Sequence, residues 1–206
     1  MNLDTTKFLR AVALAAGMMF AAPTLWAHTL GNPVADFAHG IAHPLGGMDH
    51  ILAMVAVGLW AAQRGGRFVW LLPLGFMGVL LAGGLLGVWG VPLPAVESGI
   101  AASVVVLGLL IAMAVRLHVL PALVLVGAFA LFHGHAHGTE LAAGTTAAAY
   151  AAGFVAATGA LHLLGLALGG TVNRLATLRP LLTASAYRLS GGLIALSGAA
   201  LFIATL

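Results

Sequence analysis

Two short stretches hold most of the side chains that could do chemistry. His43-Pro44-Leu45-Gly46-Gly47-Met48-Asp49-His50 sets two imidazoles and a carboxylate at the mouth of an apolar helix beginning at Ile51. Phe132-His133-Gly134-His135-Ala136-His137-Gly138-Thr139-Glu140 adds three imidazoles and a second carboxylate between two long apolar segments. Ionisable groups are costly in hydrocarbon, so clusters of them there mark an ion path, a relay or a site. Imidazole with carboxylate suits nickel, cobalt, zinc or copper(II), and hard magnesium or calcium much less. The chain has no cysteine, which removes disulfides, thiolate zinc sites and a cysteine nucleophile. The chemistry left is transition-metal binding by His, Asp and Glu.

Spacing sharpens this. His43 and His50 would align on a continuous helix, but Pro44 and Gly46-Gly47 argue for an irregular turn that could aim His43, Asp49 and His50 at one point. Asp49, beside His50, can ligate a metal directly or orient the imidazole from behind. His133 and His137 stand at i and i+4 with Glu140 three further on, which is one helical face. His135 would then point away, and Gly134 and Gly138 could let the chain unwind, as membrane helices do where they line a polar cavity. The metal candidates are therefore His43, Asp49, His50, His133, His137 and Glu140. Candidates for a wider path are Glu97, His135, His39, Asp36, His28 and His162. Asp36, His39 and His43 would share a helical face. His162, about 33 Å of helix beyond Glu140 by the rise per residue, is either an exit-side ligand or a helix-to-helix hydrogen bond. His118 reads as interfacial and Met48 and Met54 as packing.

The elements that must position these groups follow from composition. The chain of 206 residues is 62% hydrophobic and 6% charged, with mean hydropathy +1.10, against about 25% charged in soluble domains. It is expected to be all-α, a polytopic membrane helical bundle of about six transmembrane helices after an N-terminal signal peptide. Residues 1–27 carry Lys7 and Arg10, an apolar core and Pro23 ahead of Ala27, the pattern of a secretory leader cut after Ala27. Residues 28–206 then form one transporter-sized domain. Spans are expected over about 46–62, 68–89, 97–116, 117–132, 140–168 and 189–206, with residues 28–42 of mixed character. Their many glycines read as packing contacts. Net charge is +3 with a pI near 10.2, yet scattered basic residues make no phosphate-tracking surface, so nucleic acid is excluded as a partner. Placing Arg64, Arg67, Arg116, Arg174, Arg179 and Arg188 inside satisfies the positive-inside rule. It puts both histidine clusters and Glu97 on the outer side.

His43-Pro-x-x-Gly-x-Asp49-His50, followed by Ile51-Leu-Ala-Met-Val-Ala-Val-Gly-Leu-Trp60-Ala, and later Phe132-His133-Gly-x-Ala-His137-Gly-x-Glu140, resemble the HupE/UreJ family of nickel permeases. The similarity covers essentially all of the chain after its leader. It implies a multi-pass protein of the bacterial inner membrane, with the clusters on the periplasmic side. The implied substrate is nickel, or cobalt in some members, imported to supply hydrogenase or urease, whose maturation proteins it would serve only indirectly. It implies no permanently bound cofactor, and roles in transport for His43, Asp49, His50, His137, Glu140 and Glu97.

Three other readings stand beside that one. The same scaffold could carry zinc or copper, and a mature N-terminus at His28 would offer amine and imidazole to copper(II). A membrane metal sensor or assembly factor would bind without transport. An intramembrane metal hydrolase would use Glu140 as base, but the chain lacks an H-E-x-x-H helix and places no serine close to a motif histidine in sequence. No enzymatic activity is expected.

Overall fold

The computed structural model describes residues 32–176 and 180–206. The expected leader, His28 and Arg179 lie outside them. The described residues form helices α1 Pro33–Gly46, α2 Met48–Arg64, α3 Phe68–Val88, α4 Val96–Ala112, α5 Val119–Thr139, α6 Ala147–Ala176 and α7 Pro180–Ala204, with no strand among them. Helices α3, α5, α6 and α7 are each long and apolar enough to cross a membrane, and α1 with α2 qualifies as one span bent by 85°. Helix α4, apolar over 17 residues, reaches the lower limit for crossing. The protein is a polytopic all-α bundle.

Several boundaries differ from the sequence expectation, each for a physical reason. The segment of mixed composition is the helix α1. Asn32 caps it, its side chain accepting from the Val34 and Ala35 amides at 3.0 and 3.4 Å, and Pro33 occupies the first turn, where its missing N–H costs nothing. Pro44 ends up inside α1, and the break comes three residues later at extended Gly47. Helix α5 continues through the whole histidine run, so Gly134 and Gly138 do not unwind it. A Cβ on either would strike the backbone of α3 at Leu80 and Gly84, and one on Gly83 or Gly87 would strike α5. These glycines let two helix backbones touch. The same device joins α1 to α6 through Gly40 and Gly153, α2 to α6 through Gly58 and Gly165, and α4 to α7 through Gly108 and Gly191. Gly144, expected inside a span, instead makes the turn before α6 with φ +87°. Glu140 closes α5 rather than opening α6, and α7 starts at Pro180, so Arg188 lies within it.

The starts of α2, α4 and α6 and the ends of α3, α5 and α7 gather at one end of the bundle. Arg64, Arg116 and Arg174 lie toward the other. Between the ends Met54, Trp60, Phe76, Leu107 and Ile111 are fully buried. At the arginine end side chains are tied to backbone carbonyls. Gln63 Nε2 donates to Ile111 O at 3.0 Å, Arg64 Nη2 to Leu117 O at 2.7 Å, and Asn173 Nδ2 to Ala62 O at 2.9 Å. Arg64 also lies 4.5 Å over the Phe68 ring, and the Tyr187 hydroxyl donates to Asn173 Oδ1 at 2.9 Å or to Gly169 O at 3.1 Å.

Candidate metal-binding site

The bend at Gly47 turns α1 across the mouth of the bundle and opens α2 with Asp49 and His50. A Cβ at Gly47 would lie 2.6 Å from Asp49 Oδ1 and 3.1 Å from His50 Nδ1, whereas one at Gly46 would meet nothing. Glycine at 47 thus leaves room for the Asp49 carboxylate, which a Cβ would displace, while its φ of −105° is open to any residue. Asp49 Oδ1 accepts from the His50 amide at 2.7 Å and from His50 Nδ1 at 2.8 Å. That bond puts the ring proton on Nδ1, so His50 Nε2 carries a bare lone pair. It is buried and has no partner among the described residues.

Helix α5 brings the second stretch to the first. His137 packs edge-on to His43 and His50, with ring centroids 4.6 and 4.4 Å away, and His50 meets His133 at 4.6 Å. Neither nitrogen of His137 has a hydrogen-bond partner among the described residues. His133, fully buried, repeats the arrangement of His50. Its Nε2 lies 2.9 Å from Ser103 Oγ, whose own proton goes to Ile100 O at 2.6 Å. Ser103 therefore accepts from His133 Nε2–H, which leaves the lone pair on Nδ1, again buried and unpartnered. At the rim His43 Nε2 bonds Glu140 Oε2 at 2.9 Å. His43, His137 and Glu140 can present ligand atoms all within 4.8 Å of one another.

An unsatisfied buried polar atom costs about 1–3 kcal/mol. Here they fall on adjacent imidazoles, with a carboxylate and a hydroxyl each fixing one ring's tautomer, as metal-ligating histidines are commonly held from behind. The cluster opens on a cavity of about 830 Å³ lined by His39, His43, Asp49, His50, Glu97, His137, Glu140 and Tyr150, among others. The arrangement can accept a divalent ion from water at the rim and replace its hydration with nitrogen and oxygen donors deeper in.

The remaining expected residues fall elsewhere. His39 and Glu97 are exposed on the cavity wall. Asp36 is buried, its Oδ2 accepting from the Thr146 amide at 2.8 Å, so it holds the start of α6. His135 faces the loop after α3, with Nε2 donating to Val91 O at 2.7 Å. His162 lies deeper, beyond the Phe76 ring. Sequence reasoning missed Ser103, Phe76, Tyr150 and Phe154. It set aside serine for want of one near a motif histidine, but the fold delivers Ser103 to His133 from another helix. A lone hydroxyl in the apolar run of α4 was the available signal. Phe154 packs on His137 at 4.0 Å and Tyr150 edges His43 at 5.9 Å.

Residues 14–201 match the family described as HupE / UreJ protein. Among curated proteins, Protein HupE of Rhizobium leguminosarum bv. viciae is 47% identical over 168 residues, covering 80% of this chain and 83% of the relative. No solved structure matches.

Proposed function

The chain belongs to the HupE/UreJ family, and from that membership together with the site's geometry we propose that it imports Ni²⁺, with Co²⁺ as a second substrate, across the bacterial inner membrane. The observation that carries this reading is the set of unpartnered imidazole nitrogens on His50 and His137, at the inner wall of an open cavity, and on fully buried His133 packed behind His50. Nickel is borderline in softness and prefers these donors. The arginine loops lie in the cytoplasm and the cavity faces the periplasm, as positive-inside orientation requires. Imported metal supplies hydrogenase or urease maturation.

The ion first meets His43 and Glu140, where binding replaces their mutual hydrogen bond with two metal bonds. Half-exposed Glu140 and His43 capture it while it still holds water. It then meets His137 and His50, whose Nε2 is kept bare by Asp49, and His133, whose Nδ1 is kept bare by Ser103. Exposed Glu97 on the same wall adds negative potential. Each contact has to be strong enough to admit the ion and weak enough to release it. An inside-negative potential supplies about 2.3 kcal/mol per charge per 100 mV, roughly 4.6 for a divalent ion, so no nucleotide-hydrolysing domain is needed. Ser103 is no nucleophile in this scheme: its oxygen is buried and its proton is committed to Ile100 O.

The test is uptake of radioactive nickel into liposomes carrying the purified protein under an inside-negative potential, with cobalt, zinc and copper as competitors. Saturable uptake with cobalt the strongest competitor is expected. Binding without uptake would make the protein a sensor or assembly factor, and stronger competition by zinc or copper would change the substrate.

A further inference from the structure

Past the outer cluster a further unpartnered imidazole lies within the bundle. His162 on α6 is 1% exposed, and neither ring nitrogen has a hydrogen-bond partner among the described residues. Thr158, one turn earlier and hence on the same face, is 0% exposed, and its hydroxyl is likewise unpartnered. A histidine that merely packed there would be expected to bond a neighbouring helix. Here no such bond forms among the described residues: the ring meets the phenyl of Phe76 on α3, while α2 comes against the His162 backbone carbonyl at Gly58.

One ring joins this pair to the outer cluster. Phe76 on α3 stands edge-on to His162 with centroids 5.2 Å apart and tilted against His133 at 5.8 Å. Two imidazoles with free lone pairs thus flank one phenyl ring, and the ring is fully buried. An apolar side chain between two coordinating stations is a barrier that an ion passes stepwise.

We propose that His162 and Thr158 form a second, inner station for a borderline divalent transition-metal ion, which receives it from His133 past the Phe76 ring. This station rests on the transport reading above. With one imidazole and one hydroxyl it binds loosely, water completing the coordination, as suits a site for transit rather than residence. It also gives α6 a role the outer cluster does not need.

The absence of cysteine permits a direct test on the full-length protein. In His162→Cys the only thiol is at the inner station, so Co²⁺ arriving there produces sulfur-to-cobalt charge-transfer absorption in the near ultraviolet, absent from the wild type. In parallel, His162→Leu removes two unpartnered atoms at similar volume. Its nickel uptake is expected to fall at least tenfold, with nickel affinity of the outer cluster and melting temperature unchanged or the latter raised. No charge-transfer band in a His162→Cys protein that still binds Co²⁺ at the outer cluster overturns the proposal. So does wild-type uptake by His162→Leu, and so does a His162→Leu protein that loses outer-cluster affinity and stability together, which would make His162 a packing residue. Failure at position 162 alone leaves the outer site standing, whereas absence of uptake by the wild type removes both.

Discussion

The two ends of this bundle treat buried polar groups differently. At the arginine end Gln63, Arg64, Asn173 and Tyr187 each donate to an oxygen from another part of the chain and so bridge helices, with only isolated atoms, Gln63 Oε1 and Arg64 Nε, left unpartnered among the described residues. At the histidine end the polar side chains are deliberately half-satisfied. Asp49 and Ser103 each take up one nitrogen of an imidazole and leave the other bare, and His137 has both nitrogens free. At the arginine end the donors find oxygens of the protein itself. On the proposed reading, the lone pairs on clustered imidazoles receive an electron-poor ion that the protein does not itself supply. Both ends are costly to desolvate, but only the histidine end gathers unpartnered nitrogens on adjacent imidazoles, and on the proposed reading that difference separates a structural seal from a site.

The comparison can be broken from its strongest side. His137→Ala is expected to reduce nickel uptake to background while the protein still inserts and folds, because a ligand is lost with little apolar surface. Asp49→Asn should lower uptake about 100-fold, the upper range for losing the group that orients a metal-binding histidine. If both variants transport normally, the two-stretch site is wrong. Gly47→Ala, which pushes a methyl group into the Asp49 carboxylate, should cost about tenfold in uptake, since small displacements of a positioned group are expensive. Gly46→Ala should cost nothing, and equal effects of the two would show that the turn rather than the carboxylate is being disturbed.

Smaller effects sharpen the contrast. Ser103→Ala leaves His133 Nε2–H without its acceptor, and about 1 kcal/mol of lost hydrogen bonding corresponds to roughly fivefold weaker nickel binding by equilibrium dialysis. Tyr187→Phe removes a comparable hydrogen bond at the other end. It is expected to lower stability by about 1 kcal/mol in denaturant titration and leave uptake within error of the wild type. A transport defect in Tyr187→Phe would mean that the arginine end is part of the path and not only its seal.

Much of this was legible in the sequence because membranes restrict what a chain can do. The span expected at 68–89 is α3, Phe68–Val88, since uninterrupted apolar length is a strong signal. The two polar stretches stood out against it, and alternation of the spans sent them to one end. What the sequence hid was whatever depends on a partner from elsewhere in the chain. Gly134 and Gly138 read as points of unwinding until α3 was found packed against them. Asp36 reads as a candidate for the wider path on a face shared with His39 and His43, yet its acceptor role toward the Thr146 amide exists only once α1 lies against the start of α6. Ser103 reaches His133 only through the packing of α4 on α5. Helix α1 is hard to read because its polar and small residues interrupt the apolar length that marks a membrane span, while its start is set by a local cap at Asn32.

The most direct test of the central claim, that the unpartnered imidazole nitrogens are there to hold a metal in passage, is X-ray absorption at the nickel edge on the Ni²⁺-loaded protein, compared with Asp49→Asn. The account predicts a shell of nitrogen and oxygen with the multiple scattering of several imidazole rings, and loss of at least one ring in the variant. A wild-type spectrum of hydrated nickel with carboxylate oxygen and no imidazole scattering would contradict it.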